Sequence, residues 1–110
     1  MTKPGFTMTP AQRAIYDKLL SAAAAIGPFT EDPKKTSIHL TRKSAFAGVA
    51  TRKGALQLTL KSAADIRSPR IVKREQASAN RWHLEIRLDD PQQIDRELTA
   101  WLAGAMRLAG

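Results

Sequence analysis

The feature that most constrains the fold is a change of hydrophobic period along the chain. Near both ends, apolar residues recur every three to four positions, which predicts amphipathic helices. Between them, apolar and polar residues alternate, which is typical of half-buried strands. Leu56, Leu58 and Leu60 give the clearest example. The sequence therefore predicts two terminal helices around a run of strands.

Both predicted helices carry start signals. Thr9 and Gln12 form a capping-box pattern, which predicts a first helix over about residues 10 to 26. Asp90 followed by Pro91 is again a capping residue before a first-turn proline, and it predicts that the last helix begins there. The stretch that we predict to be strand is interrupted by turn and linker sequences. The predicted linkers are residues 30–33, 62–68 and 76–80.

Five strands fit between the helices, in the order α-β-β-β-β-β-α. Two of them form a hairpin that turns at Arg52, Lys53 and Gly54, and "PRIVKRE" is predicted to be an edge strand. We expect an α+β, two-layer fold in which both helices cover one face of a mainly antiparallel sheet. Residues 9–110 are expected to form a single domain after a flexible N-terminus of residues 1–8.

Positive charge is concentrated in the middle of the chain. The net charge is +8, and residues 34–87 hold thirteen of the 18 Lys and Arg against three of the ten Asp and Glu. Such a concentration attracts phosphates and carboxylates. The alternative is that these cations only keep sheet edges soluble. From the charge alone, both interpretations stay open.

The alternation also assigns side chains to the face of the sheet away from the helices. His39 and His83 fall on that face. The cations of the hairpin and strand ends are predicted to form a phosphate-binding cluster, which consists of Lys35, Arg42, Lys43, Arg52, Lys53 and Lys61. Phe46 is the one aromatic side chain expected to stack on a base, since Trp82 is predicted to lie in the core. The candidate binding residues are Lys35, His39, Phe46, Arg52, Lys53, Lys61, His83, Glu85 and Arg87.

No catalytic residue, cofactor or metal site is predicted. The chain has no cysteine and no nucleophile-elbow, P-loop or zinc-protease motif. His39 and His83 with Glu85 are weighed as a metal site, but such a site needs three ligands that converge, and a convergent third ligand is not apparent. Glu85-Ile86-Arg87 departs from the Glu-x-Lys pattern of nucleases, because Arg stands in place of Lys. The longest apolar run is short, so no membrane span is expected, and the absence of cysteine fits a cytoplasmic location.

Six separated features of the chain occur together in a fixed order. They are Gly27 and Pro28; Lys35, Thr36 and Ile38; Phe46; Arg52 and Lys53; His83; and Trp101 with Leu102. In these features the chain resembles a bacterial family of small domains, domain of unknown function 5655. The resemblance covers roughly residues 12 to 108 and implies the fold more than an activity.

Three functions stay open at this point. The first is a non-catalytic binding or accessory module for an anionic partner, with nucleic acid the leading candidate. The second is a small-molecule-binding domain or enzyme that uses the face of His39 and His83. The third is self-association, for example as a homodimer, through the polar face or an edge strand.

Overall fold

A computed structural model describes residues 8–109. The elements in chain order are α1 (Pro10–Ile26), β1 (Thr30–Pro33), β2 (Ile38–Thr41), β3 (Ala45–Arg52), β4 (Ala55–Ser62), β5 (Ile71–Ser78), β6 (Arg81–Leu88), a 3-10 helix (Pro91–Gln93) and α2 (Arg96–Leu108). The predicted flexible segment, residues 1–8, lies almost entirely outside the described residues, as does the end of the predicted domain at residue 110. The α+β class with one helix at each end is confirmed.

The strands form one antiparallel sheet in the order β1-β2-β3-β4-β6-β5. The prediction of five strands is wrong, because residues 30–33, expected to be a linker, pair along β2 as a sixth strand. This strand has no apolar alternation, and its backbone hydrogen bonds to β2 are what make it extended. The predicted linker at 76–80 is also too long, since β5 continues to Ser78.

Helix α1 begins and ends where the sequence predicts. Thr9 and Gln12 form the reciprocal capping box, and the Gly27 N–H donates to the Ala23 carbonyl at 3.1 Å. Gln12 also reaches the sheet: its Nε2 donates to the carbonyls of Arg52 (2.8 Å) and Ala55 (3.0 Å). The start of α1 is therefore tied to the end of the β3–β4 hairpin.

The C-terminal helix starts later than predicted. Asp90 does cap a helix, but it is the short 3-10 turn, and α2 restarts with Asp95 as its N-cap. Ile94 lies between the 3-10 turn and α2, and its side chain is buried in the core. A core residue therefore separates the two helical segments. The sequence signals at Asp90 do start a helix, but it is a single 3-10 turn.

The core lies between the two helices and one face of the sheet. Ile15, Leu19, Leu98 and Leu102 pack from the helices, and alternate residues of β2, β3, β4 and β6 pack from the sheet. Tyr16 is fully buried, and its hydroxyl donates to Glu31 Oε1 at 2.6 Å. Burial and this hydrogen bond raise the pKa of Tyr16 far above its ordinary value, so the phenol stays a donor.

Candidate functional site

The sheet face away from the helices, here called the open face, carries polar and small residues. They are partly exposed because no helix packs on them. In strand order they are His39 on β2, Gly48 and Ala50 on β3, Gln57, Thr59 and Lys61 on β4, and His83, Glu85 and Arg87 on β6.

A depression of about 300 Å³ lies in the middle of the open face. It brings together two histidines and a lysine that are far apart in sequence. Strand order explains this, because β4 pairs with β6 and sets Lys61 directly opposite His83. The lining residues are Ser37, His39, Ala45, Phe46, Ala47, Gly48, Thr59, Lys61 and His83. Among residues 8–109, no carboxylate lines this depression.

Gly48 provides the room at the centre of the depression. It lies between His39 and Thr59 in the sheet register. A Cβ added to Gly48 would meet only the His39 ring, at 3.8 Å from Cδ2. Glycine is costly in a strand, and it often marks a place where a ligand approaches the backbone. The glycine is visible in the sequence, but its place between His39 and Thr59 follows only from the strand register.

The polar groups of the depression keep much of their hydrogen-bonding capacity. Lys61 Nζ donates to Ser44 Oγ at 3.2 Å, and within residues 8–109 it has no salt bridge. Three carboxylates are register neighbours of lining residues: Asp32 opposite His39, Glu75 opposite His83, and Glu85 opposite Thr59. Asp32 already pairs with Lys34 at 2.8 Å. Glu85 already accepts from Gln57 Nε2 at 2.8 Å. The lining groups can therefore donate to an anion.

The two histidines share the depression but cannot share one metal ion. His39 and His83 lie on β2 and β6, which are three strand spacings apart in the sheet. That separation is about 14 Å between strand axes, whereas a metal needs its nitrogen ligands at about 2 Å. Within the part of the chain that is described, no group of three His, Cys, Asp or Glu side chains could hold a metal ion.

The predicted cation cluster is divided between the two ends of the sheet. Lys35, Arg52, Lys53 and Arg87 lie at the end where β3 turns into β4. The cations Arg42, Lys43 and Lys61 lie at the opposite end. The eight residues of β3 separate the ends by about 23 Å. The predicted cations therefore do not form a single patch.

Phe46 is not available for stacking as predicted. The register between β2 and β3 shifts after Leu40, which leaves Phe46 as the extra residue of a β-bulge. The residue borders the depression, but it is only 1% exposed and its ring packs edge to face against Phe29. The bulge breaks the alternation of β3 at this position and buries the ring that is predicted to stack on a base.

Within residues 8–109, no helix is both long and apolar enough to cross a bilayer. Comparison with known proteins gives one family. Residues 6–109 match the family model described as Domain of unknown function (DUF5655). No curated protein and no solved structure matches the chain. Because the match covers nearly all of the sequence, the resemblance is confirmed and the chain belongs to this family of domains of unknown function.

Proposed function

We propose that this protein is a non-catalytic binding module for an anionic partner, with nucleic acid as the first candidate. The observation that carries the proposal is the open-face depression, which is lined by Lys61, His39 and His83 and by no carboxylate among residues 8–109. Phosphate oxygens accept hydrogen bonds from ammonium, imidazole and hydroxyl groups alike. The Lys61 ammonium would supply charge, and Thr59 and Ser37 would supply hydroxyl donors.

The hairpin end of the sheet is less suited to an anion. Arg87 NH2 donates to the Lys53 carbonyl (2.9 Å), and Arg52 NH1 donates to the Thr51 carbonyl (2.9 Å). These guanidinium groups are thus partly used by the backbone. The turn itself projects outward, since a Cβ on Gly54 would meet nothing within 4 Å. Concave sites enclose a ligand, whereas a projecting turn offers only screened surface charge.

A small anionic molecule is the second candidate for the same depression. Its volume of about 300 Å³ is at the lower end of the range for small-molecule sites. Lys61 and His83, which lie directly opposite each other in the register, favour recognition of a compact carboxylate or phosphate. The polymer and the small molecule share the same anionic chemistry and differ in how far the ligand extends beyond the depression.

Self-association through the sheet edges is the weakest of the three functions. The edge strand β1 is short and ends in Pro33, which has no N–H to donate. The other edge strand, β5, carries Lys73, Arg74 and Glu75 and has two register irregularities. Short strands, proline, charges and bulges are the features that oppose edge-to-edge pairing.

Charge reversal at the two ends of the sheet tests the proposal. Fluorescence anisotropy with a labelled single-stranded oligonucleotide, and calorimetry with tripolyphosphate, would measure binding at low salt. Lys61→Glu should weaken both by about tenfold or more, because it places a carboxylate in the depression. Lys53→Glu is the matched control, with the same change of charge at the hairpin end, and should change binding about twofold or less.

The same experiment can reject the proposal. If neither probe binds to the parent protein at low salt, the anion-binding function is wrong. If Lys53→Glu weakens binding as much as Lys61→Glu, the net charge and not the depression is responsible. Affinity should also fall with increasing salt, with a log–log slope that is smaller by about one for Lys61→Glu.

A further inference from the structure

A second concave site lies beside the open-face depression. It has a volume of about 310 Å³ and is here called the Phe29 cleft. Thr41, which lines the cleft, is the direct register partner of Ala45, which lines the depression. The two sites are therefore adjacent across one backbone pair. The cleft is lined by Pro28, Phe29, Thr30, Thr41, Arg42 and Lys43.

Phe29 gives the cleft an aromatic wall. Its ring is partly exposed, and it packs against Phe46 with 6.1 Å between ring centroids and 85° between ring planes. Because Phe46 is buried and fixed in the bulge, Phe29 is held by a rigid neighbour. A fixed, partly exposed ring is a platform for a nucleobase, and stacking on such rings is independent of base identity.

Two cations stand next to this ring. Within residues 8–109, neither Arg42 nor Lys43 forms a salt bridge, and Lys43 is exposed. The backbone of the turn is anchored, since the N–H groups of Lys43 and Ser44 donate to the Ala109 carbonyl at 3.0 and 3.3 Å. Ser44 in turn accepts from Lys61 in the depression. One anchored turn therefore lines the cleft with Arg42 and Lys43 and contacts Lys61 of the depression through Ser44.

We propose that the partner is a single-stranded nucleic acid, with one base against Phe29 and neighbouring phosphates at Lys43 and Lys61. This inference rests on the proposed function of the depression. A cation-lined path combined with an aromatic platform is the usual arrangement for single-strand binding. A duplex keeps its bases stacked on one another, so the Phe29 ring would have no base to contact.

The test compares probes with and without bases. A single-stranded oligonucleotide of about ten nucleotides should bind about tenfold more tightly than an abasic oligomer of equal length or a duplex of the same sequence. Phe29→Leu should remove this advantage while leaving tripolyphosphate binding unchanged. Phe29→Tyr keeps the ring and should retain it. Thermal unfolding by circular dichroism would check that each variant is folded.

The outcomes separate the two proposals. If abasic and ordinary strands bind the parent protein equally, the base-stacking inference is wrong, whatever the variants do. The anion-binding function then still stands if tripolyphosphate binds and Lys61→Glu weakens it. If tripolyphosphate and both oligomers all fail to bind the parent protein, the proposed function itself fails and the inference fails with it.

Discussion

Two depressions on this protein have opposite charge. The depression on the open face is lined by Lys61 and two histidines. The other, of about 460 Å³, lies at the start of the C-terminal helices and is here called the acidic depression. It is lined by Arg70, Asp89, Asp90, Gln92, Gln93, Asp95 and Glu97.

Three of the four acidic side chains of this depression, those of Asp90, Asp95 and Glu97, already have partners within the chain. Asp90 accepts from the Gln92 N–H at 2.8 Å, and Asp95 accepts from the Leu98 N–H at 3.0 Å. Arg70 bridges Asp95 (2.9 Å) and Glu97 (3.1 Å), and its guanidinium lies 5.7 Å from the centre of the Trp101 ring. Arg70 also donates to the Gln93 carbonyl.

The two depressions differ in whether their charged side chains are already bonded to other parts of the protein. In the acidic depression, hydrogen bonds to the helix start and to Arg70 use the carboxylates to hold α2 and the β4–β5 connection together. In the open-face depression, Lys61 is bound only by the Ser44 hydroxyl among the described side chains. The first arrangement stabilises the fold, and the second leaves donors for a ligand. Substitutions in the two places should therefore separate stability from binding.

The largest expected effect is on binding, from filling the floor of the open-face depression. Gly48→Val should weaken binding of tripolyphosphate and oligonucleotide by about tenfold, because its methyl groups would occupy space that a ligand needs. Gly48→Ala should give a smaller loss and raise the free energy of unfolding by about 0.5–1 kcal/mol, since glycine is unfavourable in a strand. Calorimetry and urea unfolding would measure the two quantities.

Ala50→Val is the control for this prediction. Ala50 lies two residues further along β3 on the same face and does not line the depression. Like Gly48→Val, the Ala50→Val substitution adds methyl groups to the open face, but it should leave the affinity for tripolyphosphate and oligonucleotide unchanged. Equal loss of affinity in the Ala50 and Gly48 variants would contradict the location of the site.

A smaller effect, on stability alone, is expected from Arg70→Met. It removes the hydrogen bonds from the guanidinium to Asp95, Glu97 and the Gln93 carbonyl while keeping an apolar contact for Trp101, so unfolding should become easier by about 1–3 kcal/mol. Tripolyphosphate affinity should stay within about twofold, because Arg70 is remote from the open face. Arg67→Met is the control: its pair with Asp65 is 3.4 Å long and Arg67 is 78% exposed, so little stability should be lost. Weaker anion binding by the Arg70 variant would mean that the two depressions are not independent.

These assignments were only partly predictable from the sequence. The bounds of α1 follow from signals that agree with one another, namely the Thr9 capping box, the helical period and Gly27. The inward leucines of β4 follow from strict alternation. In contrast, β1 is Thr30–Pro33, in which Glu31, Asp32 and Pro33 disfavour strands, and it exists because β2 offers a backbone partner. Local patterns could not indicate this partner.

The candidate site illustrates the same limit. Alternation placed His39 and His83 on one face, and this is where they lie. It could not show that β6 inserts between β4 and β5, which is what sets Lys61 beside His83. Nor could it show that one extra residue in β3 buries Phe46 and makes Phe29 the accessible ring. Closeness in sequence predicts one cluster for cations such as Lys53 and Lys61, although they lie at opposite ends of β4.

The smallest expected effect concerns pH and the Asp95 carboxylate. The pKa of Asp95 lies below its ordinary value of 3.8. The main cause is the hydrogen bond from the Leu98 N–H, and the second is the hydrogen bond from Arg70. A carboxylate with a lowered pKa in the folded state stabilises the protein fully above the pKa of the unfolded state. This contribution is lost as the pH falls through the folded-state pKa. Asp95→Asn keeps a side chain that can cap α2 but loses the charge.

The Asn variant should therefore melt slightly below the parent protein at neutral pH. The difference should stay constant down to the ordinary pKa of aspartate and then shrink toward zero in more acidic buffer, because the parent carboxylate becomes protonated there. Asp89→Asn is the control, since within residues 8–109 the Asp89 side chain accepts no hydrogen bond and forms no salt bridge, and this substitution should change the melting temperature little at any pH. A melting difference for Asp95→Asn that grows on acidification would show that this carboxylate does not act through its charge on α2 and Arg70, and the contrast between the two depressions would then lose its electrostatic basis.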